Sequence, residues 1–298
     1  MQIQFIQLKK KWDPRRFKAH KTVGTFPISQ VPNTFGDRPN VIKNQGATNF
    51  CSGFTASYIL DRKLQLETSP EYVIQKESLM YNSNPKNFLG VPVDVAHKAL
   101  CRYGSIPANL SPYKVGVTDP SIIADPLQWD VNLDDKALVP FGSSFEVTKD
   151  GYIDLFDAAR AIMYSQNVWL DCSGYFIPEW MYAPKGIIPT IFKKQEVNGH
   201  MFTICGSQDI NGVPYLVIPN SWGIDIGGQI DSMGIIQDKG GFFFAPREAI
   251  NTLFDISVML DRNSQDAKQE QWNAMQKIYD KIITILKFLQ KIVSSFIK

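Results

Sequence analysis

One cysteine lies in a local sequence that suits nucleophilic chemistry. Residues 43–58 contain a Gln45-Gly46 turn and, six residues after Gln45, Cys51 followed by small and apolar residues. That run predicts a buried helix, which would place the thiol at a helix N-terminus, where unpaired amides and the helix dipole favour a thiolate. A cysteine at such a position is also commonly just a small buried residue, so the stretch alone leaves both interpretations open.

Two further motifs carry groups that could act together with the thiol. His200 follows Gly199 at the start of a strand-like run, and Asn220-Ser221-Trp222-Gly223 ends another such run. Taken singly, the first is typical of a structural histidine at a strand edge and the second of a turn covered by an aromatic ring. In the order Cys, His, Asn they favour a nucleophile with a proton carrier and an orienting amide.

Together these residues resemble the motifs of the papain-like cysteine peptidase family (C1-type). His200 follows Cys51 by 149 residues and Asn220 follows it by 169, which is compatible with the order and spacing of that family. The similarity covers roughly residues 26–261, with specific motifs and weakly similar segments between them. Only about 25 residues precede this region, so we expect a prokaryotic or phage-like member without an inhibitory propeptide.

The resemblance implies a role for each matching residue. Cys51 would attack a carbonyl as a thiolate, and His200 would hold the proton as an imidazolium and then protonate the leaving amine. Asn220 would orient the imidazole. The Gln45 side-chain amide and the Cys51 backbone N–H would form the oxyanion hole.

Two more residues are candidates for the substrate cleft. Trp222 would shield the contact between His200 and Asn220 from water, and Gly90 would offer its backbone to an extended substrate. The resemblance implies no cofactor and no metal.

The sequence departs from the family beside the nucleophile. Thr48 stands where a disulfide partner is usual, and Ser52 and Ile226 stand where tryptophans are usual. Phe50 adds bulk next to Cys51. These changes leave substrate preference open, and they keep an inactive binding descendant as an alternative.

Periodicity predicts an α+β chain with helices first and an antiparallel sheet second. The predicted helices are residues 51–66, 70–80, 93–103 and 151–166, and the predicted strands are residues 168–172, 201–206, 215–219 and 241–244. An Asn211-Gly212 pair fits a hairpin between two of these strands. With the resemblance, this indicates a papain-like fold of two subdomains, a helical half and an antiparallel β-barrel-like half, with a cleft between them.

The charge distribution and the cysteine content indicate the compartment in which the protein is expected. The net charge of +2 conceals basic ends, +6 over residues 1–24 and +4 over residues 262–298, on an acidic body. Four cysteines without a CxxC pair are too few for a disulfide scaffold, which favours a reducing compartment. No secretory signal and no apolar run long enough to span a bilayer is recognisable, so we expect a cytoplasmic or virion-associated protein.

The C-terminal residues predict an amphipathic helix. Their apolar side chains repeat with alternating spacings of three and four, as in a coiled coil: Trp272, Met275, Tyr279, Ile282, Leu286, Leu289, Val293 and Phe296. We expect residues 266–298 to self-associate or to dock on a partner or on the chain's own body, and membrane contact is the less favoured alternative. No specific nucleic-acid partner is expected.

The predicted organisation is therefore a basic arm (residues 1–25), a peptidase domain (26–261) and an amphipathic helix (262–298). The predicted activity is that of a cysteine endopeptidase acting on an extended polypeptide. An inactive structural or peptide-binding module and a lysin that cuts cell-wall peptides remain as alternatives.

Overall fold

A computed structural model describes residues 23–81, 90–114, 123, 125, 129–176, 178–189, 198–231 and 235–261. The predicted C-terminal helix and nearly all of the basic arm lie outside these residues. The helices are α1 (Cys51–Leu64), α2 (Pro70–Tyr81), α3 (Val93–Tyr103), α4 (Leu155–Gln166) and α5 (Arg247–Leu253). The strands are β1 (Phe141–Val147), β2 (Leu170–Phe176), β3 (Asn198–Ile204), β4 (Gly206–Ile210), β5 (Val213–Pro219), β6 (Gly228–Ile230), β7 (Ile236–Asp238), β8 (Phe242–Ala245) and β9 (Phe254–Asp261).

Helices α1, α2 and α3 form the first half, and local signals set their ends. The chain leaves α1 through Gln65 in the left-handed conformation. Helix α2 begins at Pro70, as predicted, and the Ser69 hydroxyl caps it by accepting a hydrogen bond from the Tyr72 backbone N–H at 3.1 Å. Helix α3 ends at Tyr103 and is followed by Gly104, whose φ of +60° and close approach to the Leu138 carbonyl require a residue without a side chain.

The second half consists of two antiparallel sheets. One sheet has the strand order β1-β9-β2-β3, and the other has the order β4-β5-β8-β6-β7. Strand β3 leads through Cys205 into β4, so one continuous stretch of chain supplies a strand to each sheet. Asn211 and Gly212 both have positive φ, 55° and 82°, and form the predicted hairpin between β4 and β5.

The prediction of helices followed by an antiparallel half is confirmed, with some differences. Strands β1, β6, β7 and β9, most of β4, and helix α5 were not predicted. In the described residues the two sheets remain open and do not close into a barrel. Strand β9 pairs with both β1 and β2, so its position depends on contacts that are distant in sequence.

The core joins the two halves directly behind the start of α1. Phe50 and Phe54 pack with Ile74 of α2 and with Met201 of β3. The Thr203 hydroxyl of β3 also donates to the Thr55 carbonyl of α1 at 3.1 Å. The first two turns of α1 are therefore held against β3, the strand that carries His200.

The four cysteines are free thiols, and Cys172 and Cys205 are buried. No helix in the described part of the chain has the length and hydropathy needed to span a bilayer.

Close packing of α1 on α2 depends on the absence of a side chain at Gly53. A Cβ at this position would lie 2.4 Å from Cγ1 of Ile74 and 3.1 Å from the Pro70 carbonyl. We expect Gly53→Ala to destabilise the fold by about 1–3 kcal/mol, because overpacking outweighs the gain in helix propensity.

Chemical denaturation of Gly53→Ala, Ile74→Ala and the double variant measures this effect. We expect the double variant to lose at least about 1 kcal/mol less than the sum of the two single changes, because Ile74→Ala removes the clashing atom. Simple additivity would show that the clash does not govern the packing.

Candidate functional site

Cys51 is the first residue of α1, and its thiol faces backbone amides. The backbone amide of Met201 in β3 lowers the pKa of this thiol, as do the amides of Cys51 and Ser52, so all three favour the charged form of the sulfur. Met201 follows His200 directly in the sequence. The fold therefore brings the predicted nucleophile against the strand that bears the predicted proton carrier.

Burial dominates the ionisation of the Cys51 thiol. Cys51 is only half-buried as a residue, but its sulfur is closely surrounded by protein atoms. Burial raises the pKa of the thiol to about 11, the neighbouring amides oppose this rise, and the Glu77 carboxyl adds to it. Burial therefore favours the neutral thiol at this site.

His200 lies in β3 under an aromatic cover. Its ring stacks on Trp222 at a centroid distance of 4.6 Å and an interplanar angle of 14°, and Phe202 meets it edge-on at 4.3 Å. Burial lowers the pKa of His200 to about 3. Burial of both groups therefore disfavours the thiolate–imidazolium pair expected from the sequence.

Asn220 ends β5 and is fully buried. Its Oδ1 accepts a hydrogen bond from the Trp222 backbone N–H at 2.7 Å, and its Nδ2 donates to the Ile226 carbonyl at 2.9 Å. These contacts fix the turn that holds Trp222 on His200. With 4% of its surface exposed, Trp222 covers the imidazole and offers little area to a substrate.

Gln45 is joined to the same turn. The Ser221 hydroxyl donates to Oε1 of Gln45 at 2.5 Å, and the Gln45 backbone N–H donates to the Ser221 carbonyl at 2.6 Å. Nε2 of Gln45 donates to the Thr48 carbonyl at 2.6 Å, which engages one of its two N–H groups. The Gln–Gly turn and the Asn-Ser-Trp-Gly turn therefore form one hydrogen-bonded unit beside Cys51.

Tyr58 joins α1 to both turns, a role that the sequence did not reveal. Its hydroxyl accepts from the Lys43 backbone N–H at 2.7 Å and donates to the Asn220 carbonyl at 2.8 Å. The Lys43 ammonium is itself buried and ion-paired with Asp61 at 2.8 Å. No pattern distinguished Tyr58 from other apolar positions of the helix.

The cluster that packs against Cys51 contains Phe50 and Val91, the residue after Gly90. Gly90 has a φ of +94° and precedes Val91, which packs in the cluster that contains Cys51. Phe50 is fully buried in that cluster and meets the Tyr113 ring edge-on. Its bulk therefore fills the core behind the helix start.

Ser52 binds a buried carboxyl group that the sequence analysis did not single out. Its hydroxyl donates to Oε2 of Glu77 in α2 at 2.6 Å, and both side chains are buried. Burial raises the pKa of Glu77 to about 8, and the hydrogen bond from Ser52 opposes this rise. No group of three or more His, Cys, Asp or Glu side chains in the described ranges could hold a metal ion.

Comparison with known proteins establishes the fold. No protein-family model and no curated protein matches the sequence. Xylellain, a cysteine protease from Xylella fastidiosa, superposes with a TM-score of 0.67 at 17% identity, covering 86% of this chain and 96% of that one. Procathepsin B S9 from Trypanosoma congolense gives 0.56 at 16% identity, covering 78% of each chain.

The bromelain protease from Ananas comosus, solved with the inhibitor E64, gives a TM-score of 0.52 at 17% identity, covering 77% of this chain and 99% of that one. At these identities the likeness concerns the fold alone. The chain has the papain-like α+β fold of two subdomains that the motifs implied.

The hydroxyl of Tyr58 generates a first prediction for the site. We expect Tyr58→Phe to lower the free energy of unfolding by about 1–3 kcal/mol, because it removes a buried partner from the Lys43 N–H and the Asn220 carbonyl. Tyr164→Phe, at a substantially exposed tyrosine, is the control and should change stability by about 0.5 kcal/mol or less. Equal losses in both variants would contradict the bridging role.

The Glu77 carboxyl generates a second prediction, on the pH dependence of stability. Its folded pKa of about 8 lies above that of an unfolded glutamate, so the unfolded chain releases this proton first. Between about pH 4.5 and pH 8, Glu77 is ionised in the unfolded chain but protonated in the folded protein, so the free energy of unfolding falls progressively as the pH rises. Glu77→Gln removes that loss, and at pH 8 the variant should be more stable than wild type by about 2–4 kcal/mol.

Denaturant unfolding of wild type and Glu77→Gln at several pH values provides the measurement, with Glu146→Gln, at a half-buried glutamate of β1, as the control. We expect the advantage of Glu77→Gln to be near zero in acid and to grow toward pH 8. A constant difference across this range would show that folding does not raise the pKa of Glu77 above its value in the unfolded chain.

Proposed function

We propose that the protein is a cysteine-type endopeptidase that hydrolyses peptide bonds with Cys51, His200, Asn220 and Gln45. One observation carries the proposal. Cys51 at the start of α1 packs against the cluster that contains Met201, the residue after His200, and the turn of Asn220 holds Trp222 on the His200 ring.

The proposed chemistry starts from the neutral pair. His200 takes the Cys51 proton as the sulfur attacks the carbonyl carbon of the substrate, so that the S–C bond forms while charge develops on the carbonyl oxygen. His200 then gives this proton to the leaving amine as the peptide C–N bond breaks. Water, deprotonated by His200, attacks the thioester and releases the second product with regeneration of the thiol.

The oxyanion is bound by the Cys51 backbone N–H and by Gln45. Gln45 contributes the N–H of Nε2 that the Thr48 carbonyl leaves available, and the Ser221 hydroxyl on Oε1 sets the orientation of the amide. Loss of one such donor typically costs about 3–4 kcal/mol of transition-state stabilisation. Asn220 positions the imidazole through the turn that it stabilises.

Gly90 is the proposed contact for the substrate backbone. Its positive φ and its position next to the Cys51 cluster suit main-chain hydrogen bonding to an extended peptide. Trp222 acts as the cover of His200.

A peptide-binding module without catalysis is the second candidate. It is favoured by burial that holds both Cys51 and His200 neutral and by the engagement of Gln45 with the Thr48 carbonyl. In that case extended peptides would bind without cleavage, and replacement of the thiol would leave their affinity unchanged.

Active-site labelling tests the proposed activity. We expect a thiol-directed epoxide to label the wild-type chain at Cys51 near neutral pH. Cys51→Ala should abolish this label and reduce cleavage of a peptide library by a factor of about 10³ or more. Cys101→Ala is the matched control, because Cys101 is also a half-buried free cysteine in a helix.

Wild-type protein that neither labels at Cys51 nor cleaves any peptide would overturn the enzymatic proposal. If it still bound extended peptides with an affinity unchanged by Cys51→Ala, the second candidate would replace it. If the protein cleared a cell-wall suspension but cleaved no ordinary polypeptide, the activity would be that of a lysin that cuts cell-wall peptides.

A further inference from the structure

Behind the proposed nucleophile lies a buried carboxyl group with no assigned task. Ser52, the residue after Cys51, donates its hydroxyl to Oε2 of Glu77 at 2.6 Å. Glu77 is fully buried and Ser52 is 1% exposed. The other oxygen, Oε1, is buried without a hydrogen-bond partner among the described residues, which is an expensive arrangement for a carboxylate and a cheaper one for a neutral acid.

The charged groups of the neighbouring helices are engaged elsewhere. In α2, the Lys76 ammonium is ion-paired with Asp134 at 2.5 Å, and Glu71 is influenced by Lys114. In α3, His97 contacts Asp171 at 2.9 Å, and the Asp94–Lys98 pair is exposed. From α1, the Cys51 thiol is the titratable group that interacts electrostatically with Glu77.

A thiolate at Cys51 and a carboxylate at Glu77 would repel each other. The first amides of α1 and the Met201 N–H can stabilise one anion, the Cys51 thiolate. A carboxylate at Glu77, reached through the hydroxyl of the adjacent residue, raises the cost of that thiolate in a region that water does not screen. The thiolate therefore forms most readily while Glu77 keeps its proton.

We propose that Glu77 controls the ionisation of Cys51. Its neutral carboxyl permits the thiolate at the start of α1, and its ionised form opposes the thiolate and restrains the reactivity of Cys51 on the alkaline side. The inference deepens the proposed function and rests on Cys51 as the nucleophile of that function. Glu77 is in this sense a positioning and tuning residue, since it acts through Ser52 and the field at the helix start.

The direction of the pH effect follows from the burial of the carboxyl. Burial raises the pKa of Glu77 to about 8, so Glu77 is neutral at neutral pH and becomes charged as the pH rises through that value. The charged carboxylate then raises the pKa of Cys51 in the same pH range in which an ordinary thiol would become more reactive. Wild-type reactivity should accordingly increase less steeply above about pH 8 than the titration of an isolated thiol would give.

The rate of alkylation at Cys51 by iodoacetamide, followed by site-resolved mass spectrometry on the full chain, tests the proposal. We expect Glu77→Gln and wild type to react at similar rates near pH 6.5, and Glu77→Gln to react about tenfold faster near pH 9.5, which corresponds to a shift of about one pKa unit. Glu77→Asp retains a carboxylate and should retain the alkaline restraint. Glu71→Gln, at another buried glutamate of α2, should follow the wild-type profile.

A rate ratio between Glu77→Gln and wild type that stays constant across this pH range would overturn the proposal, because a purely structural effect of Glu77 has no reason to follow its titration. Ser52→Ala gives an independent check. Loss of the hydroxyl that favours the carboxylate should move the change in reactivity to higher pH, and an unmoved transition would contradict the route through Ser52.

Ultraviolet absorbance of the thiolate, taken as the difference from Cys51→Ala, separates this inference from the proposed function. If Cys51 fails to alkylate but its titration midpoint is lower in Glu77→Gln than in wild type, the proposed function falls and the control by Glu77 stands. If the midpoints coincide, the control by Glu77 falls, whatever the activity of the enzyme.

Discussion

The hydroxyl of Tyr58 is the contact on which the arrangement of the site depends. A buried hydroxyl must satisfy both its hydrogen and its lone pairs within the protein, and Tyr58 does so with the Lys43 N–H on one side and the Asn220 carbonyl on the other. These two partners lead directly into the Gln45 turn and the Trp222 turn. A single side chain of α1 thereby sets the distance of both turns from the helix whose first residue is Cys51, and the burial of the Lys43 ammonium against Asp61 stiffens the same junction.

The same burial that fixes these contacts also governs ionisation. Cys51 and His200 are each held in their neutral forms because neither charge can reach water, and Glu77 is held neutral for the same reason. In the proposed reaction, proton transfer from sulfur to imidazole creates two opposite charges, and their mutual attraction offsets part of the lost hydration.

Local sequence signals predicted the helical half and one hairpin well, because the residues that decide them are adjacent in the chain. The cap at Ser69, the proline at the start of α2 and the Asn211-Gly212 turn are examples. Strand β9 was missed because its partners in β1 and β2 lie far away in sequence. The motifs located Cys51, His200 and Asn220, and the fold brings their elements together, but the roles of these residues remain predictions. Tyr58 and Glu77 escaped notice because a polar atom in an apolar helix acquires its partner only in the folded state.

The packing shows what Phe50 and Ser52, the two neighbours of Cys51 that differ from the family pattern, contact in the fold. Phe50, which the sequence suggested as a bulky neighbour of the proposed nucleophile, lies in the core, and Ser52 is hydrogen-bonded to Glu77 of α2. A hydroxyl and a carboxyl in this place give less apolar burial than a large aromatic ring would, and the carboxyl weakens the fold as the pH rises. Two apolar side chains would pack there without this loss of stability at higher pH, but their charge could not change with pH. What the polar pair adds is a carboxyl group whose charge depends on pH, hydrogen-bonded to the residue that directly follows Cys51, the proposed nucleophile.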